Sequence, residues 1–141
     1  MTAAPASAVR PLPAWQTSAA PLVGRALLAP LFLISGVGKL TAFTATVGYI
    51  GSVGLPFPEL AYGGAVALEV VGGLMLLAGY KTRWVALALA LFTLATALLF
   101  HSALADQNQF IHFLKNIAVT GGLLQVAAFG AGRWSLDARR G

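Results

Sequence analysis

The chain has 141 residues, 58% of them hydrophobic and 9% charged, with a formal net charge of +5 at pH 7. A soluble domain carries about 25% charged residues, so a mean hydropathy of +0.81 excludes an ordinary water-soluble globule and makes lipid the expected solvent. The length fits one domain, and the absence of cysteine excludes a disulfide, a thiolate metal site and a persulfide carried by the protein.

In chain order, residues 1–21, "MTAAPASAVRPLPAWQTSAAP", come first. Pro5, Pro11, Pro13 and Pro21 discourage helix, and the stretch reads as a disordered cytoplasmic tail. It is too long and too proline-rich for the n-region of a signal peptide. Residues 22–134 read as one transmembrane domain, an all-α four-helix bundle with spans at about 22–40, 60–79, 84–103 and 110–130. Each is close to the ~20 residues of helix that cross a hydrocarbon core of ~30 Å. Residues 135–141 form a cytoplasmic C-terminal tail. No internal repeat is visible beyond the helical hairpins.

The basic residues follow the spans rather than a nucleic-acid surface. Arg10 and Arg25 precede or begin the first span, Lys81 and Arg83 fill the turn between the second and third, and Arg133, Arg139 and Arg140 follow the fourth. The connections 41–59 and 104–109 hold only Glu59 and Asp106 as charged residues. The positive-inside rule then places both termini in the cytoplasm. Tyr80, Trp84 and Trp134 fall at the inner interface, and Tyr49 and Tyr62 near the outer one.

The second span contains "GAVALEVVGGLML", residues 64–76, with Glu69 near its middle. An ionised, unpaired carboxylate there costs about 2.5–3.5 kcal/mol on insertion scales, so Glu69 must be protonated, paired or wetted. Gly72 and Gly73, at i+3 and i+4, share its face. Small residues mark where membrane helices approach closely, so this face is expected to pack on the first or fourth span. Partners come from the other spans. "SGVGKL" puts Lys39 at the end of the first; "LLFHS" puts His101 at the end of the third; "FIHFLKNIAV" puts His112, Lys115 and Asn116 at the start of the fourth. With 1.5 Å per residue, Lys115 lies roughly 8 Å and Glu69 roughly 14 Å below the outer ends of their spans. A lysine side chain covers that difference. The expectation is a polar cavity open to the outer side with Glu69 at its floor and Lys115 holding its charge.

Plainer readings stand beside these. Snorkelling accounts for Lys39 at a span end, headgroups for Arg25, and the interface for His101 and His112. Glu69 and Lys115 need be no more than a structural ion pair. Two histidines fall short of the three protein ligands of a catalytic zinc site, and no CxxCH, GxGxxG or P-loop marks a haem, flavin or nucleotide site.

In this order, "GRALLAPLFLISGVGKL", "LEVVGGLMLLAGYKTRWVAL", a span ending in His101, and "FLKNIAVTGGLLQVAAFGAGRWSLD" resemble the DoxX family of small bacterial inner-membrane proteins. The resemblance covers about residues 22–137. Arg25, Gly36, Lys39, Glu69, Gly79, His101, Lys115 and Asn116 fall where that family has recurring polar and glycine positions. It implies a multi-pass protein of the cytoplasmic membrane. It also implies a role beside a quinone-linked oxidoreductase or in oxidative-stress defence, since the family is named for the membrane part of a thiosulfate:quinone oxidoreductase.

On this reading the chain is a membrane subunit that supports electron transfer to quinone, alone or as a homo-oligomer, with redox partner subunits. Glu69 and Lys115 carry the proton and its counter-charge. Lys39, His101, His112, Asn116 and Arg25 serve the ligand. The alternatives are a non-catalytic scaffold that recruits redox partners and a small-molecule permease.

Overall fold

A computed structural model describes residues 10–141. The chain is all-α, and among the described residues four helices are long and apolar enough to cross a membrane: Trp15–Thr41, Pro58–Ala78, Thr82–Phe100 and Gln107–Phe129. The first combines a π-helical turn, Trp15–Ala19, with α1, Ala20–Thr41. Then come α2 (Phe43–Ser52), α3 (Pro58–Ala78), α4 (Thr82–Phe100), α5 (Gln107–Phe129) and α6 (Leu136–Arg140). The main pairings are α1 on α3 and α4 on α5; α3 meets α4 and α1 meets α5 more lightly.

The expectation of disorder through residue 21 is corrected for residues 15–21, which are helical; residues 1–9 lie outside the described residues. The cause lies in Pro21. Its ring has no N–H and would crowd the carbonyl four residues back, that of Thr17. The chain widens there, the Ala20 N–H bonding the Trp15 carbonyl. The freed Thr17 carbonyl accepts from the Arg133 N–H at 2.8 Å. Gly132, at φ +77°, lets this contact form, because a Cβ would lie 2.6 Å from Pro21 Cβ and 3.0 Å from the Thr17 carbonyl oxygen. The C-terminal segment thereby holds the start of the first span.

The third span stops at Phe100 rather than 103, because His101 leaves helical geometry at φ −126°. Asp106 then caps α5 by accepting the Gln109 N–H at 2.9 Å. The connection 41–59 contains a helix absent from the sequence reading. At Ala42, φ −131° breaks the first span, and α2 folds back across the bundle end. Phe43 meets Tyr62 edge-on at 4.9 Å between ring centres, and Tyr49 packs on Phe100 at 5.1 Å.

The buried core runs through Ala29, Phe32, Leu76, Ala86, Leu89 and Leu123. Leu27, Ile34, Leu74, Leu91 and Leu98 point outward and exposed, as lipid-facing residues of membrane helices do. The α1–α3 seam is set by glycine. A Cβ on Gly36 would stand 2.7 Å from Val70 Cγ2 and 3.1 Å from Glu69 Cβ, and one on Gly73 would stand 2.9 Å from Leu33. The expected glycine face divides: Gly73 turns to α1, but Gly72 turns to Leu89 of α4, the third span. Neighbouring residues sit 100° apart on a helix, so one pair of glycines serves two neighbours.

Candidate functional site

Two polar assemblies occupy opposite ends of the bundle. The first is at the end that carries α2. Ser35 and Lys39 are one turn apart on α1, and the close approach at Gly36 brings Glu69 of α3 beside them. Lys39 Nζ stands 2.9 Å from both Glu69 carboxylate oxygens and donates to Ser35 Oγ at 2.7 Å. Ser35 in turn donates to Glu69 Oε1 at 3.0 Å. Glu69 is 4% exposed, while the Lys39 side chain keeps 26% of its surface. Lys39 is therefore the more accessible member of the pair.

Beside this pair lies a cavity of about 370 Å³, within the range of small-molecule sites. Its walls are mostly apolar, with Phe32, Ile50, Ala65, Phe92 and Leu99 among them, and the polar groups converge from five helices and from His101 just past the end of α4. Ser35 and Lys39 come from α1, Thr46 and Tyr49 from α2, Glu69 from α3, Thr93 and Thr96 from α4, and Asn116 from α5, with His101 at the mouth. His101 is held by Nδ1 against Gln109 Oε1 at 2.9 Å and stacks on His112, ring centres 5.2 Å apart. Asn116 donates to Thr96 Oγ1 at 3.4 Å.

The sequence-level candidates thus separate. Lys39, Glu69, His101 and Asn116 line the cavity. His112 is exposed and reaches it only through His101. Lys115 is exposed on the outside of α5, and the partner of Glu69 is Lys39. Rotation about α5 decides between neighbours at similar depth: Asn116, 100° further round than Lys115, takes the inward position. Tyr49, expected only at the outer interface, also lines the cavity, and so do Thr93 and Thr96, which with Phe100 recur along one face of α4 at helical spacing.

Arg25 belongs to the second assembly, at the other end. It is 1% exposed and does not meet headgroups. Its guanidinium donates to the carbonyls of Leu76 at 3.1 Å, Leu77 at 2.6 Å, Ala131 at 3.2 Å and Trp134 at 2.7 Å. The last carbonyls of a helix have no partner within it, and Arg25 supplies one for α3 while anchoring the C-terminal segment. Its five N–H groups in a planar fork suit this task. Gly79, at φ +71°, turns the chain where a Cβ would meet Ser135 Cβ at 2.5 Å and Arg25 Nη1 at 2.9 Å. Asp137 completes the clasp. Its carboxylate accepts the N–H groups of Lys81 at 2.7 Å and Thr82 at 2.9 Å, capping α4 from a distant part of the chain. Burial opposes its ionisation, but hydrogen bonds from Thr82 and Lys81 and the nearby Arg25 charge outweigh it, and the carboxyl titrates below its ordinary range.

Four apolar spans, a buried ion pair beside a cavity and a polar clasp at the opposite end define a small all-α integral membrane protein. The chain belongs to the DoxX family, whose model matches residues 20–102. It is 41% identical over 116 residues to inner membrane protein YqjF of Escherichia coli (strain K12), covering 82% of this chain and 88% of that one. It is 35% identical over 123 residues to inner membrane protein YphA of the same organism, covering 84% and 88%. It is thus a DoxX-family protein of the inner membrane. No solved structure matches it.

Proposed function

We propose that this chain is a membrane subunit of a quinone-linked electron-transfer system, binding a quinone headgroup in the cavity at the α2 end. The observation that carries the reading is the composition of that cavity. Apolar walls for a ring and tail enclose a few convergent polar groups, and a buried ion pair forms one wall. Quinone reduction takes up two electrons and two protons. The electrons come from a redox partner subunit, since the sequence offers no motif for a haem, flavin or metal of its own. The protons pass by way of Lys39 and Glu69, the ammonium facing the cavity and the carboxylate holding its charge. Positioned groups of this kind act as general acids and bases. His101 and Asn116 orient the headgroup.

The basic end carries Lys81, Arg83, Arg133, Arg139 and Arg140 and both described chain ends, and the α2 end carries Glu59 and Asp106. By the positive-inside rule the basic end is cytoplasmic and the cavity lies in the outer half of the membrane. Lys115 and Gln125 are exposed on α5 at membrane depth. Polar side chains there face protein rather than lipid in most membrane proteins, so this face is where a partner subunit or a second copy packs. The test is solvent extraction of the purified chain followed by chromatography of the extract. Retained quinone, even below one per chain, supports the reading. A folded chain that repeatedly yields none, and binds none when it is added, leaves the scaffold reading in its place.

A further inference from the structure

The hydrogen-bond directions in the cavity wall give it a polarity toward a ligand. Carbonyl oxygens only accept, so a hydroxyl bonded to one must be donating. Thr93 Oγ1 donates to the Leu89 carbonyl at 2.7 Å, and Thr96 Oγ1 donates to the Thr93 carbonyl at 2.8 Å. Tyr49 Oη donates to the Phe100 carbonyl at 3.4 Å. Ser35 has Lys39 as its donor and therefore gives its own proton to Glu69. The Thr93, Thr96 and Ser35 protons are directed into the protein at 2.7–3.0 Å, leaving lone pairs for the cavity, and Tyr49 is turned the same way by a longer contact. Asn116 follows the same logic: Thr96 has no proton left to give, so the Asn116 amide nitrogen donates to it and the amide oxygen is the free acceptor. His101 turns Nδ1 to Gln109 Oε1, which can only accept, and donates to it at 2.9 Å. On the donor side stand the Lys39 ammonium, two of whose three N–H groups are taken by Ser35 and Glu69, the second Asn116 N–H, and the Thr46 hydroxyl, which can play either part.

From this we infer that the cavity selects a ligand that donates hydrogen bonds, and, resting on the quinone reading above, that it binds the reduced quinol in preference to the quinone. A quinone ring offers two carbonyl acceptors and no O–H, whereas its quinol offers two O–H donors. Bringing acceptor against acceptor leaves buried polar groups unpaired, and that loss discriminates strongly between otherwise similar ligands. Tighter binding of the reduced form also makes the bound quinone the better electron acceptor, in keeping with a partner that delivers electrons to it.

The test is equilibrium binding of a short-chain benzoquinone to the purified full-length chain, set against anaerobic binding of the same compound reduced to its quinol. The expected result is a Kd at least about tenfold lower for the quinol, a difference of about 1.4 kcal/mol. Thr96→Val removes one acceptor and should narrow the ratio severalfold, while Thr96→Ser keeps it. Quinone binding as tight as quinol binding, or tighter, overturns the inference and leaves the quinone reading intact. So does a preference that Thr96→Val leaves unchanged, because the acceptor wall would not be its source. Binding of neither form overturns both. Should Thr96→Val fail to fold, the wild-type ratio and Thr96→Ser still decide.

Discussion

Lys39 and Glu69 meet across the α1–α3 seam, with the ammonium 2.9 Å from each carboxylate oxygen. One is near the end of its helix and the other near the middle of its own, and Ser35 bridges them. Removing one member of a buried pair leaves an uncompensated charge and typically costs about 3–5 kcal/mol. Lys39→Met should therefore lower the folded fraction in detergent sharply. Lys115→Met, on the outer face of α5, should change stability by less than about 0.5 kcal/mol. The comparison is read from thermal unfolding in one detergent. Equal losses for the two variants would mean that Lys115 shares the carboxylate.

The double variant Glu69→Gln with Lys39→Met separates structure from chemistry. It removes both charges together, so stability should return toward wild type. If the pair carries protons, electron transfer to quinone in the assembled system stays lost in this variant although the chain folds. Recovery of both would reduce the pair to a device for helix register.

The seam itself depends on Gly36. Its added Cβ would fall 2.7 Å from Val70 Cγ2, 3.1 Å from Glu69 Cβ and 3.3 Å from the Val70 nitrogen, whereas one on Gly38 meets nothing within 4 Å. Gly36→Ala should cost about 1–3 kcal/mol through overpacking. Gly38→Ala should be neutral or slightly stabilising, because alanine favours helix over glycine. Similar unfolding midpoints for the two would show that α1 and α3 do not rely on this close approach.

Much of this architecture is legible in the chain. Long apolar stretches and their basic flanks place the four spans, because a bilayer demands that length and leaves few alternatives. Glu69, His101 and Asn116 stand out because polar groups are costly there. Rotation about each helix is the missing quantity. Lys115 and Asn116 are equally conspicuous, and which of them faces inward depends on how α5 packs against α4. The Ser35–Lys39 spacing beside Gly36 did hold a signal, since i and i+4 share a face, but snorkelling explained Lys39 equally well. The Arg25 clasp joins residues 25, 76–77, 131 and 134 through backbone carbonyls. Carbonyls carry no side-chain signature, so nothing in the letters announces it.

Orientation gives a prediction independent of the site. A reporter active only outside the cytoplasm should work when inserted in 53–57 or 102–106, beside Glu59 and Asp106. It should be silent when fused after Gly141, which follows Arg139 and Arg140. The bias of Lys and Arg toward one end of the bundle is the motive. A strongly active C-terminal fusion would turn the cavity toward the cytoplasm.

The clasp should loosen in acid, and Asp137 sets the direction. Its carboxyl titrates below the ordinary carboxylate range in the folded chain, where burial is outweighed by the Thr82 and Lys81 hydrogen bonds and the Arg25 charge. In the unfolded chain it titrates at about 3.9. A depressed folded value means that ionised Asp137 favours the folded state. That contribution is complete above the unfolded value and disappears as pH falls through the lower, folded one. Protonation would leave the Lys81 and Thr82 N–H groups facing a weaker acceptor, and would remove the negative charge that suits the start of α4. Asp137→Asn mimics this state at every pH. Thermal unfolding in detergent should therefore place wild type above Asp137→Asn at pH 6, with the gap closing below about pH 3.9. Limited proteolysis after Gly130 should follow the same course, since α6 is held by that carboxylate and by the Asp137 N–H to the Gly79 carbonyl at 2.8 Å. A gap that stays constant down to the most acidic point would mean that Asp137 acts through shape alone, with its charge contributing nothing to the cap on α4.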